Sequence, residues 1–227
     1  MSNETIEKKI DAKKLTPLAM FVALSYLCVF FFRFKVQFLS FEMSDVFVTI
    51  CGFVFGPLAA IGVALVKSLL EMITIADTGV YGAIMNFASS AVFAGVASVI
   101  YKYKKSFGSA LAGIIVAIIV KTAAIIGLNI LITPFYMKCP REVVLGLIPS
   151  LLLPFNLIKS VMNAGLVFMI YKPLSTALKS IKVLPSQTQE MSFNKKNAIV
   201  LIISTLVVVG AIITFIVCLN GNFEWMK

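Results

Sequence analysis

Residues 109–133, SALAGIIVAIIVKTAAIIGLNILIT, run for 25 residues with a single charged side chain, Lys121. A helix that crosses a bilayer needs about 20 predominantly apolar residues, so this stretch predicts a complete span. The rest of the chain has the same character, since 60% of its 227 residues are hydrophobic and 13% are charged. This composition predicts an all-α integral membrane protein and leaves too little chain for a soluble catalytic domain.

Further apolar runs on both sides of that stretch predict six closely spaced spans and one outlier near the C-terminus. The second and third spans meet at Gly56-Pro57, a pair that breaks helices. A broken or re-entrant pair is therefore an alternative to two complete crossings. The predicted spans are residues 16–33, 45–56, 57–75, 80–101, 109–133, 143–171 and 197–219.

The chain divides into four parts. A polar, basic stretch without periodicity separates the outlying span from the others and marks a domain boundary. The outlying span has no charged group, so we expect a packing or anchoring helix without site residues. The parts are an N-terminal tail (1–15), a six-span body (16–175), a linker (176–196) and an additional C-terminal transmembrane helix with a short tail (197–227).

The lysines and arginines predict the orientation of the spans. Twelve of them lie near span ends on one side and five on the other. Basic residues favour the cytoplasmic side, so we expect the N-terminus in the cytoplasm and the C-terminus outside. The loops at 34–44, 74–79 and 134–142 then face outward together. We interpret the first of them as a candidate lid.

The charge and the cysteines narrow the range of functions. The net charge is +10, but the lysines fall mainly between apolar blocks, which indicates membrane orientation and not nucleic-acid binding. The chain has no histidine and four scattered cysteines, so we expect no metal site and no cofactor. The carboxylates of Asp45, Glu71 and Asp77 are too widely spaced to favour an intramembrane enzyme.

Three lysines lie inside predicted spans, where a charge costs roughly 2.5–3.5 kcal/mol on insertion scales. Lys67 has Glu71 one turn later, and this spacing predicts an ion pair that partly neutralises both groups. Lys121 has no partner within one helical turn, and the sequence does not assign it. Lys159 is the third, and we expect a bound molecule or the nearby amide of Asn156 to satisfy its ammonium group.

Lys159 belongs to a polar stripe on an otherwise apolar helix. Asn156, Lys159 and Asn163 are spaced i, i+3 and i+7, so they share one helix face, which must meet protein or ligand. Asn129 and Asn86 supply amides on two other spans. One amide is explained by helix–helix hydrogen bonding, but amides on three spans with a lysine favour a binding site. Such a site suits a flat heteroaromatic molecule with carbonyl and hydroxyl groups.

Several motifs carry a family resemblance. Two are the most specific: LNILITPFYM, followed by PREVV, and LLPFNLIK, which runs on to IYKPL. The others are FEMSDV, GFVFGPLA, ALVKSLLEM and GAIMNFASSA. Over roughly residues 14–174 the chain resembles the riboflavin-specific S components, the RibU family, of energy-coupling factor (ECF) transporters.

The resemblance implies a six-helix membrane subunit that binds riboflavin from outside the cell and catalyses no reaction itself. It also implies protein partners, namely a transmembrane coupling protein with two cytoplasmic ATPase subunits. Ala19 and Ala23 match an Ala-xxx-Ala-xxx-Ala docking face for the coupling protein, but Leu27 stands at its third position. Carried over by position, the riboflavin-binding residues are Asn129, Asn156, Lys159 and Asn86, with Phe41 and Met43 in the covering loop.

Other functions fit parts of the same pattern. Amides and a lysine serve many heterocycles, so an S component for folate, thiamine or pantothenate is the first alternative. A solitary gradient-driven transporter is a further alternative, which Glu71 alone supports weakly because such proteins use carboxylates as proton relays. Only the two most specific motifs favour riboflavin.

Overall fold

The structure is a computed structural model that describes residues 12–36, 38–75, 78–180, 202–206, 208–210 and 213. Within residues 12–180 the chain forms a helical bundle with one small β-hairpin. The elements are α1 (Ala12–Phe31), β1 (Phe34–Val36), β2 (Leu39–Phe41), α2 (Asp45–Phe55), α3 (Pro57–Thr74), α4 (Gly79–Tyr103), α5 (Phe107–Met137), α6 (Arg141–Leu147), a π-helical segment (Ile148–Leu152) and α7 (Leu153–Ser180).

The helices follow the predicted spans closely. Among the described residues, four helical stretches are long and apolar enough to cross a membrane: α3, α4, α5 and the continuous run Arg141–Ser180. The apolar part of α1, Leu15–Phe31, is slightly shorter. Apolar composition alone therefore located most of these helix ends to within a few residues, but the last stretch continues to Ser180, nine residues beyond the predicted end at 171.

The predicted span 45–56 is the short helix α2, which has 11 residues. At 1.5 Å per residue it rises only about 16 Å, roughly half of the hydrocarbon thickness. Gly56 ends it with a φ of 97°, in the region that favours glycine, and Pro57 opens α3. The second and third spans are thus a broken pair. Most of α2 is buried, including Asp45 at its first position.

Helices α4 and α5 pack tightly against each other. Gly113 of α5 lies against α4, where a Cβ atom would stand 2.8 Å from the carbonyl oxygen of Ala97. The approach is possible only because glycine has no side chain, as is common between membrane helices. The largest apolar cluster lies in this region and includes Phe21 of α1, Phe53 of α2 and Phe93 of α4.

The loop at 34–44 contains the antiparallel hairpin β1–β2, which the all-α prediction did not include. Phe34 pairs with Phe41 and Val36 with Leu39. Aromatic and β-branched residues favour strands, but three-residue strands leave too little periodicity to distinguish them from a loop. The hairpin lies beside the first turns of α7 and is the part of the chain that covers the site described below.

Part of the predicted C-terminal span is also described. Residues 202–206, 208–210 and 213 are helical and lie inside the predicted span 197–219; they are called the C-terminal helix below. The tail up to residue 11, residues 181–201 of the linker and following span, Asp77 and residues 214–227 lie outside the described part of the chain.

Candidate functional site

A polar cavity lies between the hairpin, the first turns of α4 and α7 and the last turns of α5. Its volume is about 70 Å³. These helix ends belong to the side that the charge distribution predicts to be external. The cavity is lined by Arg33, Phe38, Leu39, Ser40, Thr78, Tyr81, Gly82, Met85, Asn86, Ser89, Ile125, Asn129, Tyr136, Phe155, Asn156 and Lys159.

Four of the six predicted ligand residues meet in this cavity. Asn86 comes from α4, Asn129 from α5, and Asn156 and Lys159 from α7. They are separated by up to 73 positions in the sequence, from 86 to 159, and the bundle brings them to one place. Their convergence is the arrangement that amides on three spans led us to expect.

Phe41 and Met43 are placed differently. Phe41 is buried behind the cavity wall, where its ring packs edge-on against Phe155 with centroids 6.0 Å apart. Phe155 itself lines the cavity. Met43 lines a separate apolar groove formed with α1 and α7. A direct contact of either residue with a ligand therefore stays a prediction, and Phe41 acts here through Phe155.

The asparagines keep hydrogen-bonding capacity for a ligand. Nδ2 of Asn129 donates to the carbonyl of Ile125 at 2.8 Å, and its Oδ1 accepts from Thr133 at 2.9 Å. Nδ2 of Asn156 donates to the carbonyl of Leu152 at 2.8 Å. Because each amide nitrogen carries two hydrogens, these bonds fix the orientation of both side chains and leave one N–H of each for a bound molecule.

Lys159 contacts the hairpin and not Asn156, which corrects one of the two expected partners and leaves the bound molecule as a prediction. Its Nζ donates to the carbonyl of Ser40 at 3.0 Å and to Oε1 of Glu42 at 3.4 Å. Glu42 is completely buried. Burial opposes its ionisation, but the ammonium groups of Lys159 and Lys67 outweigh that effect and hold the pKa of the Glu42 carboxyl below its usual value. Glu42 is thus the counter-ion of a cavity lysine.

The predicted pair Lys67–Glu71 is confirmed, with Nζ and Oε1 3.2 Å apart. Lys67 also lies 3.5 Å from Oε1 of Glu42 and donates to Ser44 at 2.7 Å. On the far side of the pair, Oε2 of Glu71 accepts from Nδ2 of Asn86 at 2.7 Å. Because Asn86 lines the cavity, this second carboxylate also supports a wall of the site.

Lys121 has a distant partner that the sequence did not assign. Its Nζ lies 2.9 Å from Oδ2 of Asp45, and both side chains are completely buried. Ser90 donates to the other oxygen of Asp45 and also accepts from Lys67. Three lysines and three carboxylates therefore form one cluster connected by ion pairs and by Ser90, and Lys159 joins it to the cavity: Lys67, Lys121, Lys159, Glu42, Asp45 and Glu71.

Arg33 also lines the cavity. From the sequence it was expected only to contribute to the orientation of the spans in the membrane. It is 8% exposed and donates to Oγ of Ser40 at 2.9 Å and to the carbonyl of Ile75 at 3.5 Å. Its Nε has no hydrogen-bond partner among the described residues. A buried unpaired donor is costly, and Arg33 is one of the residues that line the cavity.

The chemistry of the walls favours a flat ligand with acceptor oxygens. Arg33 and Lys159 are the charged groups among the described lining residues, and both are cations. The walls also contain a group of aromatic rings. The rings of Tyr81 and Phe38 each lie 6.3 Å from that of Tyr136. The cavity thus combines aromatic surface with donors of fixed position.

The predicted docking residues lie on α1 and are not among the described residues that line the cavity. Ala19 and Ala23 are exposed on α1, and Leu27 is 47% exposed one turn further on. Ala19 also lines an apolar groove of about 400 Å³ between α1 and α3. An exposed small-residue stripe permits close approach of another helix, so docking at Ala19 and Ala23 stays a prediction.

Comparison with known proteins identifies the family of this chain. The family model of the ECF transporter substrate-specific component matches residues 13–171. The chain belongs to this family of S components. The riboflavin transporter RibU of Staphylococcus aureus (strain TCH60) is 33% identical over 179 residues, which cover 74% of this chain and 94% of that protein. RibU of Streptococcus thermophilus (strain ATCC BAA-250 / LMG 18311) is 28% identical over 183 residues, covering 74% and 85%.

A solved structure supports the same assignment. It is described as the structure and mechanism of the S component of a bacterial ECF transporter, and it shares 32% identity with this chain at a TM-score of 0.63. The similarity covers 74% of this S component and 98% of the solved chain. The predicted all-α membrane fold and the predicted family are therefore confirmed. The protein is a multi-pass membrane subunit of a transporter and not an enzyme.

Proposed function

We propose that this S component binds riboflavin in the cavity between the hairpin and α4, α5 and α7. The observation that carries the proposal is the convergence of Asn86, Asn129, Asn156 and Lys159 on one cavity. The two RibU relatives, both named riboflavin transporters, direct the choice among vitamins. The transported ligand is the only small molecule that the proposal requires, with no cofactor.

The polar groups of the cavity match the chemistry of a flavin. One edge of the isoalloxazine ring carries two carbonyl oxygens with an N–H between them, and the ribityl chain carries hydroxyl groups. An amide side chain both donates and accepts, whereas Lys159 and Arg33 only donate. The amides of Asn129 and Asn156 therefore pair with the mixed edge of the ring, and Lys159 with a carbonyl oxygen. The aromatic residues cover the ring faces.

Binding requires the cavity to widen. Ligand pockets for molecules of this size have volumes of roughly 300–1,000 Å³, and the cavity encloses about 70 Å³. We take the hairpin as the wall that moves. Two of its polar contacts, those of Ser40 with Lys159 and Arg33, involve cavity residues whose hydrogen bonds a ligand can replace. On this proposal riboflavin takes over part of the hydrogen bonding of Lys159 as the hairpin shifts and closes over it.

The proposed orientation agrees with the position of the cavity. With the N-terminus in the cytoplasm and the C-terminus outside, the hairpin and the 134–142 loop lie on the external face, and riboflavin enters from outside the cell. The S component then delivers it inward together with a transmembrane coupling protein and two cytoplasmic ATPase subunits. Ala19 and Ala23 form the docking stripe for the coupling protein.

Titration of the purified protein with a set of vitamins tests the proposal. We expect riboflavin to bind with one site per chain and with far higher affinity than folate, thiamine or pantothenate. Calorimetry measures all four ligands under one set of conditions. Tight binding of one of the other three, with none of riboflavin, would make this an S component for that vitamin and refute the riboflavin assignment.

A further inference from the structure

The C-terminal helix packs closely on α7, although it follows a segment of polar sequence. A Cβ atom at Gly165 of α7 would lie 3.1 Å from the backbone oxygen of Ser204 and 2.6 Å from Cγ2 of Val208. Ser204 and Val208 are 6% and 7% exposed, whereas Leu206 between them is 65% exposed. The helix therefore turns one defined face, Ser204 and Val208, toward a glycine of the body.

That face reaches the apolar residues that hold the hairpin. Val208 belongs to a buried cluster with Phe41 of the hairpin and with Phe155 and Met162 of α7; we call these four residues the hairpin cluster. Leu39, which lines the cavity, packs against the same cluster. Phe155 is shared, because it is a member of the hairpin cluster and also a cavity wall. A single set of contacts thus connects the C-terminal helix to the ligand site.

The hairpin is also attached by polar bonds. Those to α7 run through Ser40 and through Glu42, directly after β2, and both residues accept from Lys159; the Glu42 carbonyl accepts from a further α7 side chain. Ligand binding changes the hydrogen bonding of Lys159 on the proposed function, so the bonds of Lys159 are the ones that rearrange. The packing of Phe41 in the hairpin cluster does not depend on them. Val208 therefore supplies a ligand-independent support for the hairpin.

We propose that the C-terminal helix is a brace that holds the hairpin against α7 and slows the escape of the bound ligand. This inference rests on the proposed function, since the ligand is riboflavin. The family match ends at residue 171, so the brace lies beyond the part of the chain that the family model describes. It adds no ligand contact. It restricts the movement of the hairpin.

The physical basis is packing and not hydrophobic transfer. Lipid chains are as apolar as the side chain of valine, so removing Val208 costs little transfer free energy in a membrane. What is lost is close dispersion contact, which a fluid neighbour replaces poorly. The predicted effect is therefore a looser hairpin in a protein that still inserts and folds. Affinity differences of this kind are expressed mainly in the dissociation rate.

The test compares Val208→Ala with the matched control Leu206→Ala, each in the full-length chain. Both remove apolar atoms from the same helix, but only Val208 faces the hairpin cluster. We expect Val208→Ala to release riboflavin about three- to tenfold faster than the wild type, the range that freeing one or two ordered side chains gives. Leu206→Ala should keep the wild-type rate. Stopped-flow recovery of flavin fluorescence after dilution measures both.

A second variant approaches the same contact from α7. Gly165→Ile places bulk against Ser204 and Val208, so it should push the helix away and speed release to a similar extent. Combining it with Val208→Ala should give less than the product of the two single effects, because both variants disturb one contact.

Hydrogen exchange of the hairpin without ligand separates this inference from the proposed function. Backbone amides of residues 34–41 should exchange at least about threefold faster in Val208→Ala than in Leu206→Ala, whichever vitamin the protein binds. Wild-type release rates and wild-type hairpin exchange in both Val208→Ala and Gly165→Ile would overturn the brace. Absence of riboflavin binding to the wild type, with faster hairpin exchange in the variants, would reject the riboflavin assignment and retain the brace.

Discussion

Replacing Lys159 with methionine separates its two roles, as a ligand donor and as a counter-ion. The substitution keeps the length of the side chain and removes the charge. It removes the hydrogen bond that we assign to riboflavin and also the contacts of Nζ with Ser40 and Glu42, at 3.0 and 3.4 Å. The two losses predict changes in different measurements.

The affinity change follows from the donor that is lost. A hydrogen bond from a charged donor contributes about 1.5–3 kcal/mol, and 1.4 kcal/mol is about tenfold in affinity. Lys159→Met should therefore weaken riboflavin binding roughly 10- to 100-fold in a calorimetric titration. Wild-type affinity in this variant would remove Lys159 from the site and refute the reasoning.

The stability change follows from the carboxylate that remains. Glu42 keeps Lys67 at 3.5 Å, and its Oε2 has no partner among the described residues. Complete loss of a partner for a buried charge costs about 3–5 kcal/mol, so one remaining partner should limit the loss to about 1–3 kcal/mol. Adding Glu42→Gln removes the surplus charge. The double variant should regain thermal stability without regaining affinity.

Lys67→Met is the matched control for this experiment. Lys67 does not line the cavity, but it contacts Glu42, Glu71 and Ser44 in the ion cluster. It should lower the midpoint of thermal unfolding more than Lys159→Met and change riboflavin affinity less. The opposite order of the two effects would show that the ion cluster, and not Lys159 itself, determines binding.

Three further predictions concern the cavity, the ion cluster and the orientation. Arg33→Gln removes a cavity donor and a hairpin contact, so it should weaken riboflavin binding about tenfold; an unchanged Kd by fluorescence titration would exclude Arg33 from ligand contact. Lys121→Met leaves the buried carboxylate of Asp45 without its 2.9 Å partner, so it should lower stability by about 3–5 kcal/mol; thermal unfolding at the wild-type midpoint would contradict this. Cysteines placed at Lys104 and Lys138, in a background without native cysteines, should react with an impermeant thiol reagent from opposite sides of the membrane, and labelling from one side would refute the orientation.

The sequence predicted what depends on neighbouring residues. Apolar run lengths located α1, α3, α4 and α5, and Gly56-Pro57 correctly indicated where α2 ends and α3 begins. The Lys67–Glu71 pair was predictable because four residues separate its members on one helix. In each case the physical cause lies within a few turns of the chain.

The parts that were missed depend on residues far apart in the chain. Lys121 and Asp45 are 76 positions apart, and Lys159 and Glu42 are 117 apart. Helical periodicity gives no information about such pairs, so the sequence offers only a bound molecule or the local amide of Asn156 as the partner of Lys159. A lysine inside a span did indicate that a partner exists. The signal of where to find it was the pair of acids at the end of the first loop and the start of α2, Glu42 and Asp45.

The position of Phe41 shows a further limit. Similarity of position predicts that it covers the ligand, and the structure adds that its ring is buried against Phe155 in the hairpin cluster. The direction of a side chain in a three-residue strand depends on which face of the hairpin meets the bundle. The packing of β2 on α7 determines the direction of the Phe41 side chain, and the sequence of the loop alone does not predict that packing.

The visible absorption spectrum of the protein, purified from cells supplied with riboflavin, tests the central claim most directly. Flavins absorb blue light in a characteristic spectrum, which folate, thiamine and pantothenate do not share. We expect a yellow protein with the flavin spectrum at one flavin per chain, which dilution and washing remove slowly. A colourless protein that takes up no flavin when riboflavin is added back would contradict the account.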